Sequence, residues 1–199
     1  QTIGIISNLD FDIQEVGTTQ LGRWGKCKLA TVAFGHGIAT TLLQLSKAYS
    51  IISNGGYEIT PSLLKREKLK RKRILNENLS ETINPILRKV VSTRDGTAGF
   101  ANVKGYEIGG KTGTADQPSK GGYSKKKVNT FASVFPTSDP KFVLAVMLDE
   151  PKANREFVYH YRDDRYPYKG NRRNTAGWTT VWVTGQIMDK IGPILATKY

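Results

Sequence analysis

The heptapeptide Gly109-Gly110-Lys111-Thr112-Gly113-Thr114-Ala115 restricts this chain more than any other stretch. A lysine, two threonine hydroxyls and glycines that admit a second molecule close to the backbone make an anion-binding edge. Two chemistries use such a set. In the first, Gly105 to Thr112 is a phosphate loop, because it satisfies G-x-x-x-x-G-K-[ST] letter for letter. Phe142 to Glu150 would then be the strand and acid that hold magnesium, and a helix would have to open at Lys111-Thr112. The residues that follow do not open one. Gly113, Asp116, Pro118, Ser119, Gly121 and Gly122 intervene, and no apolar residue falls at helical spacing until Val128.

In the second chemistry the chain stays extended through Lys111. Period-2 alternation then puts Thr112 and Thr114 on one face, and Lys111 and Gly113 on the other. The two hydroxyls can hold a substrate carboxylate, and Gly113 leaves room for a peptide along the strand edge. The backbone N–H of Thr114 can help to stabilise an oxyanion.

The rest of the chain alternates helical and extended patterns. Residues 1–30 read as loops with one or two short strands. Leu42, Leu45, Tyr49 and Ile52 recur at helical spacing, with Thr40 or Thr41 as N-cap and Asn54-Gly55-Gly56 as terminator. Tyr57 to Leu64 reads as extended. A second amphipathic helix is predicted over Ser80–Thr93, capped by Ser80, with Pro85 near its first turn. Ile83, Ile86, Leu87, Val90 and Val91 form its buried stripe. Val128–Phe135 alternates as a strand. Lys141–Asp149 is nearly all apolar, as a strand covered on both faces would be, and Asp139-Pro140 turns between the two. Asn154–Asn174 reads as an exposed loop, and Trp178–Leu195 as a C-terminal helix crossing the sheet. The fold class is therefore α+β, an antiparallel sheet of at least three strands flanked by helices.

Composition excludes several functions. No apolar run approaches the ~18 residues of a membrane span. The single cysteine, Cys27, rules out an internal disulfide and reads as a partly buried, inert thiol. His36, between two glycines, reads as a turn imidazole, and His160 has no spaced partners for a metal, so no metal or cofactor is expected. Of the formal net charge of +13, the run Lys65–Arg73 supplies +6. It could contact nucleic acid or an anionic surface. A solvated loop or lysine-guarded strand edge explains it as well, and no aromatic residue interleaves it, so no nucleic-acid partner is expected.

Ordered motifs complete the picture. Ala33 to Leu45, Ala48-Tyr49, Ser53 to Gly56 and Gly96-Thr97-Ala98 precede Gly109–Ala115. Gly121-Gly122-Tyr123, Phe131, Phe135-Pro136, Asp139-Pro140, Leu148 to Lys152 and Thr175-Ala176-Gly177-Trp178 follow it. In this order the chain resembles the C-terminal part of the transpeptidase domain of class B penicillin-binding proteins, above all the division-specific (FtsI-type) septal peptidoglycan enzymes. The resemblance implies that residues 1–199 are the C-terminal portion of a single transpeptidase domain of the penicillin-binding protein/serine β-lactamase-like fold. Lys111, Thr112, Gly113 and Thr114 would be its substrate-binding residues, with Lys111 supporting catalysis. It also implies stem peptides ending in D-Ala-D-Ala and β-lactams as ligands. The parent would lie at the periplasmic face of the inner membrane, anchored by an N-terminal segment, among cell-division proteins.

Such chemistry needs a serine activated by a lysine one helical turn later, and a Ser-x-Asn element. Ser62 to Lys65 and Ser124 to Lys127 have the first spacing but not the context, and no Ser-x-Asn occurs. The expectation is that the nucleophile-bearing half precedes Gln1, which is not a start methionine, and that this chain alone is inert. Its sheet would then carry an uncovered edge and apolar surface. The phosphate-loop reading predicts magnesium-dependent ATP binding, absent from the strand reading, and a nucleotide titration separates the two.

Overall fold

A computed structural model describes residues 3–13, 17–65, 72–120, 122–154, 156–160, 168–169 and 173–198. The chain divides into two compact units, Gln1–Ile83 and Asn84–Tyr199. Among the described residues, no helix is long and apolar enough to cross a membrane.

The first unit is built around a helix whose start the sequence specifies closely. Strand β1 (Gln20–Leu21) pairs antiparallel with β2 (Ile38–Ala39), and the short helix α1 (Lys28–Ala33) lies between them in sequence. Helix α2 (Leu42–Ser53) opens on a capping box. The Thr41 hydroxyl accepts from the Gln44 N–H, and the Gln44 side chain accepts from the Thr41 N–H, satisfying two donors that a helix end otherwise leaves bare. Gln44 is buried and also ties down the N-terminal segment, its Nε2 donating to the Ser7 carbonyl at 2.9 Å. At the other end Gly56 adopts φ +81°, and a Cβ there would come within 2.5 Å of the Leu75 carbonyl oxygen. Only glycine fits that turn.

Helix α3 (Asn78–Ser92) begins two residues earlier than its sequence pattern predicts. Ser80 is not its cap. Its hydroxyl donates to the Ile52 carbonyl and accepts from the Gly55 N–H, so it joins α3 to the end of α2. Pro85 accordingly lies inside the helix rather than in its first turn. The buried stripe is also narrower than predicted: Leu87 and Val91 are buried, whereas Ile86 is 51% exposed. Asn84 takes the inward position one turn before Leu87 and Arg88.

The second unit carries the sheet. Strands β3 (Gly109–Ser119), β4 (Gly122–Phe135) and β5 (Phe142–Asp149) form an antiparallel meander in the order β3-β4-β5. Phe131 stands opposite Thr112 on one side and Val146 on the other. Helix α4 (Thr180–Lys198) packs across it, and Val181 and Met188 join Phe131, Phe135, Ile108, Ala98, Ala101 and Val91 in a single core. The strand predicted over Val128–Phe135 is present within β4, but its alternation ends at Phe131, since Phe131 to Phe135 are all buried, and the architecture is α+β. β5 differs. Its residues are half-buried, and Met147 is 47% exposed, because among the described residues β5 is an outer strand rather than a covered central one. Two short strands, β6 (Val158–Tyr159) and β7 (Tyr168–Lys169), pair within the segment read from sequence as plain loop.

Close approach explains Gly110. A Cβ there would meet the Ala132 carbonyl oxygen at 2.5 Å and the Phe131 ring at 2.7 Å, so the ring occupies the space a side chain on Gly110 would need. Removing that ring should cost about 3–5 kcal/mol. Urea unfolding of Phe131→Ala, followed by the fluorescence of Trp178 and Trp182, is expected to show a loss of that size.

Candidate active site

The threonines of β3 fall where alternation puts them. β3 pairs with β4 along one side, and among the described residues no strand pairs with its other side. No helix begins at Thr112: the strand that starts at Gly109 continues to Ser119, so the phosphate-loop reading of Gly105–Thr112 is wrong. Polar residues and glycines after Lys111 cannot build an apolar helical face, and β4 supplies a ladder partner for each residue from Gly109 to Asp116.

Both hydroxyls are oriented by neighbours. Thr112 Oγ1 lies 3.1 Å from Thr97 Oγ1. Thr114 Oγ1 accepts from the backbone N–H of Ala176 at 3.0 Å. The Lys111 ammonium donates to the Thr112 carbonyl at 2.7 Å on the exposed side. Gly113 sits in the open: a Cβ there would touch nothing closer than Thr130 at 3.8 Å. Two motifs that the sequence offered without a role, Gly96-Thr97-Ala98 and Thr175 to Trp178, are thus what the hydroxyl-bearing face rests on. An added Cβ on Gly177 would stand 2.7 Å from the Thr97 carbonyl oxygen, so the two motifs also touch one another.

Behind this wall lies an aromatic cluster. Phe100, Phe157, Tyr159, Trp178 and Trp182 meet mostly edge to face at centroid distances of 4.8–6.2 Å. The Arg173 guanidinium stacks 4.7 Å from the Trp178 ring. Burial raises the pKa of the Tyr159 phenol above its ordinary value, which keeps it neutral. Sequence periodicity did not reveal this cluster, because its members come from four separate segments.

The other candidates make local contacts of their own. Ser62 donates to the Asp12 carboxylate at 2.7 Å. Ser124 accepts from the Lys126 N–H, while the Lys127 ammonium pairs with Asp116 at 2.7 Å. Neither serine begins a helix. A third Ser-x-x-Lys, Ser138 to Lys141, escaped the reading of the sequence. It is the β4–β5 turn, with Ser138 bonded to Glu107 and Lys141 paired with Asp139. His36 occupies a turn between Gly35 and Gly37, both at positive φ, with its ring tilted against Phe34. Cys27 is exposed, contrary to expectation, at the start of a short helix, α1, that has no buried residue. His160 follows β6 in open chain. Residues 66–71 of the basic run lie outside the described residues. At its end Arg73 forms an antiparallel bridge with Tyr57, lies over that ring and bonds Glu77.

The family model described as "Penicillin binding protein transpeptidase domain" matches residues 3–164. The chain belongs to this family. As a transpeptidase-domain chain it is 29% identical over 210 residues to the probable peptidoglycan D,D-transpeptidase FtsI of Caulobacter vibrioides, covering 98% of the chain and 33% of that protein. Stage V sporulation protein D of Bacillus subtilis is 34% identical over 163 residues, covering 73% of the chain and 25% of the relative. The chain thus spans a third or less of these relatives' length. Among solved structures, the transpeptidase domain of penicillin-binding protein 3 from Burkholderia pseudomallei shares the fold, with a TM-score of 0.74 and 24% identity, over 97% of this chain and 55% of that one. Penicillin-binding protein 3 of Mycobacterium tuberculosis complexed with aztreonam gives 0.74 at 23% identity, over 96% and 45%.

One electrostatic contact steadies the entry to β3. The hydroxyl and the backbone N–H of Ser138, helped by Arg88, hold the Glu107 carboxyl below its usual range. A depressed carboxylate adds stability above its ordinary pKa and loses it as pH falls through the lowered value. Ser138→Ala is expected to be less stable at neutral pH. The gap should close on acidification, as read from urea midpoints across the acid range.

Proposed function

We propose that the β3 edge is one wall of a serine D,D-transpeptidase site that cross-links peptidoglycan stem peptides. A serine of the full-length parent, activated by its lysine, attacks the carbonyl between the two D-alanines. The terminal D-alanine leaves as the amine, and an acceptor amine of a second stem peptide then attacks the acyl-serine, releasing the serine and forming the cross-link. Thr112 and Thr114 bind the terminal carboxylate, and Lys111 adds positive charge. Gly113 lets the peptide lie along the strand as an added partner. The Thr114 N–H contributes to the oxyanion hole. The single observation that carries this reading is a strand edge without a strand partner among the described residues, with two hydroxyls in register and an uncrowded glycine between them.

The nucleophile, its lysine and the Ser-x-Asn element come from sequence outside these 199 residues, which form the C-terminal portion of one transpeptidase domain. By this account the chain alone is inert. The similarity to FtsI supports a septal role, at the periplasmic face of the inner membrane among division proteins. β-Lactams acylate the same serine, a reading supported by the fold shared with a penicillin-binding protein complexed with aztreonam.

Fluorescent penicillin tests the reading. The full-length parent is expected to gain a covalent adduct at a serine outside this chain, and the 199 residues alone to gain none by intact mass. Lys111→Ala in the parent should slow acylation by ~10²-fold or more. Stoichiometric labelling at Ser62, Ser124 or Ser138 would overturn it.

A further inference from the structure

Asn129 lies at the centre of the sheet, directly opposite Thr114, and is fully buried. Its Nδ2 donates to the Asn174 carbonyl at 2.6 Å and to Thr179 Oγ1 at 2.8 Å. The assignment of nitrogen and oxygen is forced, because a backbone carbonyl only accepts. Its Oδ1 is buried and meets no hydrogen-bond partner among the described residues. A buried carbonyl left unpaired is unfavourable for folding, so what this side chain contributes lies in its two donors.

Those donors brace one loop at both ends. Asn174 precedes the 3-10 turn Ala176–Trp178, and Thr179 follows it. The Thr179 hydroxyl donates in turn to the Thr175 carbonyl at 3.0 Å, and Thr180 bonds the Ala176 carbonyl at 3.2 Å. Between the braced ends sits Ala176, whose N–H is the donor to Thr114 Oγ1. A hydroxyl that accepts an N–H must send its own proton elsewhere. At Thr114, an exposed residue, that proton is available to a ligand on the open side. Without the brace the Thr114 hydroxyl is free to turn, and its donor is lost for part of the time.

We propose that Asn129 is a positioning residue for the β3 site: by clamping the Asn174–Thr179 loop to β4, it fixes the Ala176 N–H and so makes the Thr114 hydroxyl a directed donor to an anionic ligand. This deepens the transpeptidase reading and rests on it. The act is indirect, since Asn129 is fully buried and reaches Thr114 through the loop it holds.

The test uses the full-length parent and the second-order rate constant of acylation by fluorescent penicillin. Asn129→Ala is expected to lower it about 5–20-fold, through weaker penicillin binding rather than a slower limiting step. Asn129→Asp, which keeps the shape but lacks the donors, should do the same. If Asn129→Ala fails to fold, Thr179→Val removes one acceptor and should give a smaller loss in the same direction. The discriminating measurement is a double-mutant cycle. In a Thr114→Val background the Asn129 substitutions should have no further effect on acylation, whereas a merely structural loss would multiply. A multiplied loss, or acylation that ignores Asn129 in an otherwise labelled protein, overturns this proposal alone. A parent that takes up no penicillin overturns the transpeptidase reading instead.

Discussion

Among the described residues β3 is held by ladder bonds from one side, and the proposed site depends on how it is kept in place despite that. Pairing with β4 fixes the register, but a strand bonded on one edge can still roll about its own axis. Three contacts oppose the roll. The Phe131 ring fills the space under Gly110, where even a methyl group would clash. Thr97 meets Thr112, and the Ala176 N–H meets Thr114. The outer edge is thereby left without a strand partner among the described residues, yet aimed.

This arrangement gives packing and chemistry separate parts of the strand. Gly109 and Gly110 are buried, and their lack of a side chain serves the core. Gly113, three residues on, has open space above it, and its lack of a side chain serves whatever approaches from outside. The same residue type therefore answers to two different causes in one short segment. The aromatic cluster of Phe100, Tyr159, Trp178 and Trp182 stiffens the layer behind, with Arg173 closing over the Trp178 ring.

Much of this was legible in the sequence, because the strongest signals were local. The alternation at Lys111–Thr114, the cap at Thr41 and the hairpin at Asp139-Pro140 each follow from a few adjacent residues. The misreadings arose where distant contacts decide. Ser80 looks like a helix cap until Ile52 and Gly55 are known to lie beside it. Ile86 matches the apolar stripe by spacing, but the face toward the core narrows to Leu87 and Val91. β5 reads as a covered strand from composition alone, whereas its place in the sheet order leaves Met147 half-open. Cys27 reads as partly buried by its residue type, yet the short helix that follows it has no buried residue. For the proposed site, the shared face of Thr112 and Thr114 follows from alternation, but the groups that orient their hydroxyls sit 15 and 62 positions away in sequence.

The approach to β3 contains Gly105 at φ +94° and Glu107 at φ +43°, and the Glu107 carbonyl accepts from the Thr137 N–H just beyond the end of β4. That turn is a phase setter. Because side chains on a strand alternate with a period of two, the number of residues between this anchor and Lys111 decides by its parity which chemistry faces Thr97 and Ala176. Deleting a single residue from the span would bring the ammonium and a bare glycine to that side and send both hydroxyls to the opposite one. The same shift would set Lys111 in the place of Gly110, where a Cβ meets the Ala132 carbonyl oxygen and the Phe131 ring, so packing and chemistry both hold the chain to one parity. Odd-length changes in this turn are thus a different class of event from even-length ones.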